Sequence, residues 1–387
     1  MATRRSAIFS LEALDAAEGD ALILHYGGSA APRHLLIDGG PRGTWRRTLG
    51  PRLAQIAERL GQRPLELRHI LVTHLDGDHI GGVLALAESL GAEDCPVQCD
   101  RFWLNTFDGA LLAHLPAPAR AAMAALDDQA PAASGDGAHP TGLEAARASV
   151  RQGQGLLEQL ERLQAVVNGG ATSLVADGGP ATLPLDPAML DVQLVCPNIA
   201  HLRKLSIEWE RKGVKDTAAT ADYVDTSVFN LSSLVIVVTA RGADGRKASM
   251  LLTGDARGDH VLAGLEDAGL LDADGRVYFD VLKVPHHGSD RNLEADFFRR
   301  VQARHYVISA DGRHDNPSTD TLVWIAAGAR KRGWRVWLTN RTNPLRPALA
   351  ANIAAALKAA PKLKTHLRTR ESGAPGVMVD LMARVEY

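Results

Sequence analysis

A chain of 387 residues with a hydrophobic fraction of 45% can fill the core of one large domain or two ordinary ones, which excludes a disordered or fibrous protein. Three cysteines, Cys95, Cys99 and Cys196, are too few for a disulfide framework, and no second pair or adjacent histidine turns Cys95/Cys99 into a metal site. The net charge of −2 hides an asymmetry: Arg330 to Arg370 holds eleven Lys/Arg and no Asp or Glu, a composition that suits an anion-binding surface or a solvated face balanced by acidic neighbours.

In chain order, "GDALILHYGG", "RHLLIDGGP" and "LRHILVTHLDGDH" are apolar runs of strand length closed by Gly, Pro or Asp, with helix-like "WRRTLGPRLAQIAERLG" between the second and third. "VLALAESLG" reads as a helix stopped at Gly91, and "CDRFWLNTF" as a strand. From about 109 to 179 the chain is Ala-rich with helical spacing in two pieces, which reads as a helical insertion. Strands resume with "DVQLVCPN", "SSLVIVVTA", "KASMLLTGD", "VYFDVLKVPHHGS", "RHYVISADG" and "WRVWLTN", alternating with "HVLAGLEDAGLL" and "STDTLVWIAAGARKRG". Two strand-rich halves point to two sheets with helices outside them. No run approaches the roughly 20 apolar residues of a spanning helix, and the start lacks the apolar core of a secretory signal, so the expectation is a soluble, cytoplasmic protein without membrane association.

Three polar clusters end apolar strands. "LVTHLDGDHIGG" crowds His74, Asp76, Asp78 and His79 before the Gly81-Gly82 pair, "MLLTGD" ends on Asp255, and "VLKVPHHGS" supplies His286 and His287. Imidazoles and carboxylates gathered at strand ends from remote parts of a chain are what a metal centre needs. The plainer reading of the first cluster, a polar loop capping the next helix, accounts for one aspartate and neither histidine. "DGRHDNPS", with His314 and Asn316, serves equally as a loop and helix cap. The other nine histidines read as structural or surface residues.

These motifs resemble the metallo-β-lactamase fold superfamily, whose hallmark H-x-H-x-D-H appears here as H-x-D-x-D-H. They are similar to the branch containing the hydrolase domain of ComEC-type DNA-uptake proteins, with H-P-D-x-D-H-x-G-G, T/S-G-D and V-P-H-H-G-S in that order. "EGDALIL", "LLIDGG" and "NLSSLVIVV" extend the resemblance from about Gly19 to Pro317. Two departures stand out: the late H-P pair is Asn316-Pro317, and a third-motif histidine has no counterpart, Asn105 standing in its region.

The resemblance implies an αβ/βα four-layer sandwich of two mixed β-sheets flanked by helices, one domain over 1–387 with an insertion at 109–179 and a basic C-terminal extension at 330–387. It implies His74 and Asp76 on a first metal, Asp78 and His79 on a second, Asp255 bridging, His286 completing the set and His287 beside it, with Asp78, Asp255 and His287 serving catalysis. Asp38, His287, His314 and Asn316 would support the ligands from behind and Ser289 would contact substrate, while the basic segment, apart from the resemblance, offers Arg341 and Arg346 for the same purpose. Two divalent ions about 3.5–4 Å apart lower the pKa of a bridging water toward neutrality, so no Ser or Cys nucleophile is required. Zinc is the first expectation, with manganese or iron suited to the carboxylate-rich first site. The expected function is a dinuclear metal-dependent hydrolase using a bridging hydroxide, a phosphodiesterase acting on nucleic acid or a nucleotide. The alternatives are a lactone or ester hydrolase and a non-catalytic metal-binding component of a bacterial defence or DNA-handling system.

Overall fold

The computed structural model describes residues 6–105, 143–200, 230 and 232–387. The first half contains β1 (Ala7–Leu14), β2 (Leu22–Gly28), β3 (Ala31–Ile37), α1 (Gly50–Leu60), β4 (Leu65–Leu71), α2 (Gly77–Ser89), β5 (Val97–Gln98), β6 (Arg101–Trp103), α3 (Leu143–Arg162) and β7 (Val166–Val167). The second contains β8 (Ala181–Thr182), β9 (Leu190–Cys196), β10 (Val235–Arg241), β11 (Lys247–Leu252), α4 (Gly258–Asp267), β12 (Val277–Lys283), α5 (Ala295–Arg300), β13 (Val301–Ile308), α6 (Thr319–Gly328), β14 (Arg335–Leu338), α7 (Pro347–Ala359), β15 (Leu367–Thr369) and β16 (Gly376–Asp380).

Two mixed sheets result. The first runs β16-β1-β2-β3-β4-β6-β7 with β5 beside β4, and the second runs β15-β14-β13-β12-β11-β10-β9-β8. In each, an antiparallel part (β16 to β3, and β8 to β11) continues into a parallel part (β3 to β7, and β11 to β15).

Alternation along the strands explains the layering. Leu11, Leu24 and Leu35 of the first sheet meet Leu194, Ile236 and Met250 of the second in a shared core. Opposite faces take helices: Leu53, Ile56 and Ala57 of α1, Ile80 and Val83 of α2 and Leu156 and Leu160 of α3 cover the first sheet, and α4 to α7 cover the second. These apolar positions recur at the three- and four-residue spacing of one helix face. α1 stops at Gly61, whose φ of 64° turns its N–H back to the Ala57 and Glu58 carbonyls. The result is helix, sheet, sheet, helix.

Two expectations change. Of the insertion expected at 109–179, residues 109–142 lie outside the described residues. Its later part is built into the first half: α3 buries Leu156 and Leu160, and β7 pairs in parallel with β6. The C-terminal region is no extension either, because β14 and β15 enlarge the second sheet and β16 pairs with β1. In both places short edge strands, β7 in the first case and β15 and β16 in the second, find partners that local sequence does not reveal.

Within each parallel part, the C-terminal strand ends share one edge. Asp38 follows β3, Thr73 to His79 follow β4, Asp255 follows β11, His286 and His287 follow β12, and Ser309 to His314 follow β13. Loops at such ends are where α/β sheets present functional groups.

Candidate metal centre

Close backbone contact brings the loops together. A Cβ on Gly82 would lie 1.9 Å from the Gly39 carbonyl oxygen, and one on Gly19 would lie 1.7 Å from that of Asp78. Only hydrogen in place of a side chain lets α2 sit on the Gly39 loop and the β1–β2 connection sit on α2. The helix starts at Gly77, ahead of the apolar run "VLALAESLG", so Asp78 and His79 occupy its first turn. Asp76 is the N-cap by position, yet its side chain makes no cap hydrogen bond, which leaves the carboxylate for another task.

Three imidazoles are held in one tautomer from behind. Asp38, fully buried, accepts from Thr73 N (2.7 Å), from Thr73 Oγ1 (2.7 Å) and from His79 Nδ1 (2.9 Å). Because the Thr73 hydroxyl proton goes to Asp38, its oxygen accepts from His74 Nδ1 at 3.0 Å. The Ser309 carbonyl accepts from His287 Nδ1 at 2.9 Å. With Nδ1 carrying a proton in all three, each ring aims its Nε2 away from its support, and a neutral ring would present a lone pair there.

Those lone pairs meet carboxylates. His79 Nε2 lies 3.3 Å from Asp255 Oδ1 and 3.3 Å from His287 Nε2, and His287 Nε2 lies 3.2 Å from Asp255 Oδ2 and 3.4 Å from Asp78 Oδ2. One donor atom from each of Asp78, His79, Asp255 and His287 lies within 4.8 Å of the others. His74 Nε2 faces Asp76 Oδ2 at 3.5 Å, and both His74 Nε2 and Asp255 Oδ1 are buried with no hydrogen-bond partner among the described residues. A cluster of acceptors turned on one another is stable only with cations or extra protons among them.

The electrostatics express the same fact. Burial alone depresses the His287 imidazole, but Asp255 and Asp20 overcome it and push it up to about 10. His79 is likewise raised well above the usual imidazole range, against burial, by Asp255, Asp38 and Asp78. Asp255 is held well below the carboxylate range, against burial, by His287, His79 and His286. The protons that satisfy this cluster stand where a divalent cation would supply the charge instead, so the donor set fits such an ion.

Backbone strain concentrates here. Asp38 (φ 58°), His286 (49°), His287 (53°) and His314 (54°) all adopt the left-handed region. Each such residue costs on the order of 1–3 kcal/mol, and such costs persist chiefly at functional sites.

His286 differs from the other three histidines. Its side chain is 27% exposed, its Nε2 lies 3.8 Å from Asp255 Oδ2, and Asn292 Nδ2 donates to its Nδ1, which places the proton on Nε2. His314 sits half-buried in the Arg313–Asp315 turn, its imidazole lowered by burial and by Arg313, with Asp78 acting against them. The Ser289 N–H donates to the His286 carbonyl, and its Oγ accepts from Arg291 N, so Ser289 braces the turn. Asn316 is buried before Pro317, and the Ser318 N–H ties that loop to the Gly288 carbonyl. Arg341 is exposed beyond β14, and the Arg346 backbone and Cβ lie against Gly312. Asn105 is no ligand, since its amide exchanges two hydrogen bonds with the Leu174 backbone at 2.7 and 2.8 Å.

Several participants escape a reading of the sequence. Thr73 precedes His74 and relays Asp38 to it. Lys283, fully buried, makes an ion pair with buried Asp20, donates to the Gly254 carbonyl at 3.1 Å and lies 3.6 Å from Asp255 Oδ1. Burial opposes the Lys283 charge, but Asp20 and Asp255 raise its pKa. Both are visible as odd polar residues, Asp20 in "EGDALIL" and Lys283 in "VLKVPHHGS".

The segment carrying the first cluster has a counterpart among known families. Residues 33–145 match the family model of the metallo-beta-lactamase superfamily. The metallo-beta-lactamase match includes Asp38, His74, Asp76, Asp78 and His79 and spans under a third of the chain, so the placement of Asp255, His286 and His287 rests on the geometry above. Microtubule-associated protein 1A from Rattus norvegicus and from Homo sapiens is 36% identical over 64 residues, which covers 16% of this chain and only 2% of the length of those proteins. Among solved structures, the metallo-beta-lactamase MIM-1 from Novosphingobium pentaromativorans is 15% identical with a TM-score of 0.28, covering 89% of this chain and 84% of that one. A motif mutant of the metallo-beta-lactamase from Cronobacter sakazakii is 13% identical with a TM-score of 0.29, covering 92% and 94%. Overlays that loose carry no weight here. Among the described residues, no helix is long and apolar enough to cross a membrane.

Proposed function

We propose that the chain is a metal-dependent hydrolase, and within that class a phosphodiesterase acting on nucleic acid or a nucleotide. The observation that carries the first part is the cluster of Nε2 lone pairs and carboxylate oxygens from Asp78, His79, Asp255 and His287, with both imidazoles fixed from behind and their lone pairs turned on acceptors. In this reading Asp78, His79 and His287 would hold one divalent ion, His74 and Asp76 would hold another, and Asp255 would serve both. Zinc suits the mixed donors, with manganese or iron alternatives. When bound, such ions supply Lewis-acid polarisation of a substrate oxygen and bring the pKa of water toward neutrality.

The chain's own groups divide the remaining work. Asp38, Thr73 and the Ser309 carbonyl keep three imidazoles aimed, Lys283 restrains Asp20 and Asp255, and His286 offers an Nε2–H at the rim for a substrate or leaving-group oxygen. His287 replaces His286 as the ligand in this reading because its lone pair faces the cluster.

The finer claim is supported by charge. Arg341 and Arg346 belong to a segment with eleven basic and no acidic residues, at the strand ends where His314 also lies. Arg370 contributes less, since Asp15 takes its guanidinium at 2.8 Å. The test is hydrolysis of bis-p-nitrophenyl phosphate and of a simple lactone by the metal-loaded protein. Phosphodiester cleavage is the expected result. Cleavage of the lactone alone overturns the phosphodiesterase reading in favour of a carbon-ester hydrolase.

A further inference from the structure

The superfamily hallmark has a histidine where this chain has Asp76. An imidazole of fixed tautomer presents one lone pair in one direction, whereas a carboxylate has two oxygens and turns about its terminal bond. An aspartate at this position, with its side chain 22% exposed, needs something to choose its orientation. The hydrogen bond from α3 makes that choice.

We propose that Ser149 of α3 is a positioning residue for Asp76, so that this helix forms part of the metal centre. The inference rests on the metal reading given above. Ser149 is 4% exposed, and its Oγ donates to Asp76 Oδ1 at 3.3 Å. Asp76 Oδ2, the other oxygen, lies 3.5 Å from His74 Nε2. The hydroxyl thus engages the oxygen that is not needed for an ion and leaves Oδ2 turned toward the neighbouring lone pair.

The next turn of the same helix face shows that the contact belongs to a fitted seat. A Cβ on Gly77 would stand 3.3 Å from Gln152 Oε1, which is buried without a hydrogen-bond partner among the described residues, and one on Gly153 would stand 2.9 Å from Leu75 Cδ1. Ser149, Gln152, Gly153, Leu156 and Leu160 follow the three- and four-residue spacing of one face, and the last two are buried in the core beside α2. Burial of the leucines fixes the helix, and the fixed helix delivers the hydroxyl. Removing α3 would therefore loosen a ligand.

The test is calorimetric titration of the chelator-stripped full chain with Zn2+ and with Mn2+, using Ser149→Ala and Ser149→Thr in the parent and in Asp76→Ala. Loss of a group that orients a ligand weakens metal binding by roughly 10-fold or more. Ser149→Ala should show that loss for one ion with a cooperative apo transition, Ser149→Thr should bind like the parent, and Ser149→Ala should change nothing further in the Asp76→Ala background. If Ser149→Ala does not fold, Ser149→Cys, a near-isosteric weak donor, should show the same loss. Metal binding by Ser149→Ala equal to that of the parent overturns the proposal alone, as does an equal loss with and without Asp76. A parent chain that takes up neither ion overturns the metal reading along with it.

Discussion

Asp38→Asn separates the geometry of the site from its chemistry. Asparagine keeps the shape and tolerates the φ of 58°, so the backbone need not move. Its Oδ1 still accepts from Thr73 N, but an NH2 group now faces both the Thr73 hydroxyl and His79 Nδ1, where a carboxylate oxygen accepted at 2.7 and 2.9 Å. The hydroxyl can rotate. His79 can restore its bond only by moving its proton from Nδ1 to Nε2, the atom 3.3 Å from Asp255 Oδ1. Exchanging one or two charge-assisted hydrogen bonds for neutral ones costs about 1–3 kcal/mol of apo stability. Blocking a ligand's lone pair should weaken metal binding about 10- to 100-fold. Urea unfolding of stripped protein and metal titration measure the two effects separately. A variant that unfolds at lower urea yet binds metal within about twofold of the parent refutes the tautomer argument.

Lys283→Met leaves Asp20 as a buried charge without its cation and should cost about 3–5 kcal/mol in urea unfolding, most of it recovered in the double variant with Asp20→Asn. A single-variant loss below about 1 kcal/mol contradicts the ion-pair assignment. His34, buried in the first sheet, is lowered to about 3 by burial and by the charges of His25 and Arg52. A folded pKa below the unfolded 6.5 means that the stability is present above pH 6.5 and is lost as pH falls toward 3, with a slope of at most about 1.4 kcal/mol per pH unit. His34→Gln should flatten the acid side of the stability profile, and identical profiles would contradict this. Reversing charge with Arg341→Glu and Arg346→Glu should lower the log-log salt slope of nucleic-acid binding by about 0.7–0.9 for each phosphate that is no longer neutralised. The same variants should spare a small aryl phosphodiester, and an unchanged slope would remove these two residues from the substrate surface.

Much of the architecture is legible because the strands announce themselves. "LLIDGG", "HILVTH", "MLLTGD" and "VLKVPHH" are apolar runs that stop at polar groups, and each ends where the sheets present those groups to the same edge. His74, Asp78, His79, Asp255 and the His286-His287 pair can be singled out because imidazole and carboxylate at strand ends have few other uses. The choice between His286 and His287 cannot be made from the sequence, since adjacent residues in left-handed turns point to opposite supports, Asn292 for one and the Ser309 carbonyl for the other. Lys283 shows in the sequence only as a polar residue in an apolar run, and its role stays hidden because its partner, Asp20, comes from a remote part of the chain. Ser149 carries no signal at all: an isolated serine in an Ala-rich helix acquires meaning only once Leu156 and Leu160 have fixed which face meets the Asp76 corner. β7, β15 and β16 escape notice because edge strands of two to five residues are set by the strand beside them.

The central claim is that this arrangement of acceptors exists to hold divalent cations. Elemental analysis of the full chain, purified without chelator and again after stripping and reconstitution, tests it most directly. The account predicts stoichiometric transition metal, approaching two ions per chain at saturation, with His79→Ala and Asp255→Asn each losing at least one while still unfolding cooperatively. Absence of stoichiometric metal in the purified protein, together with no uptake on reconstitution, would contradict it.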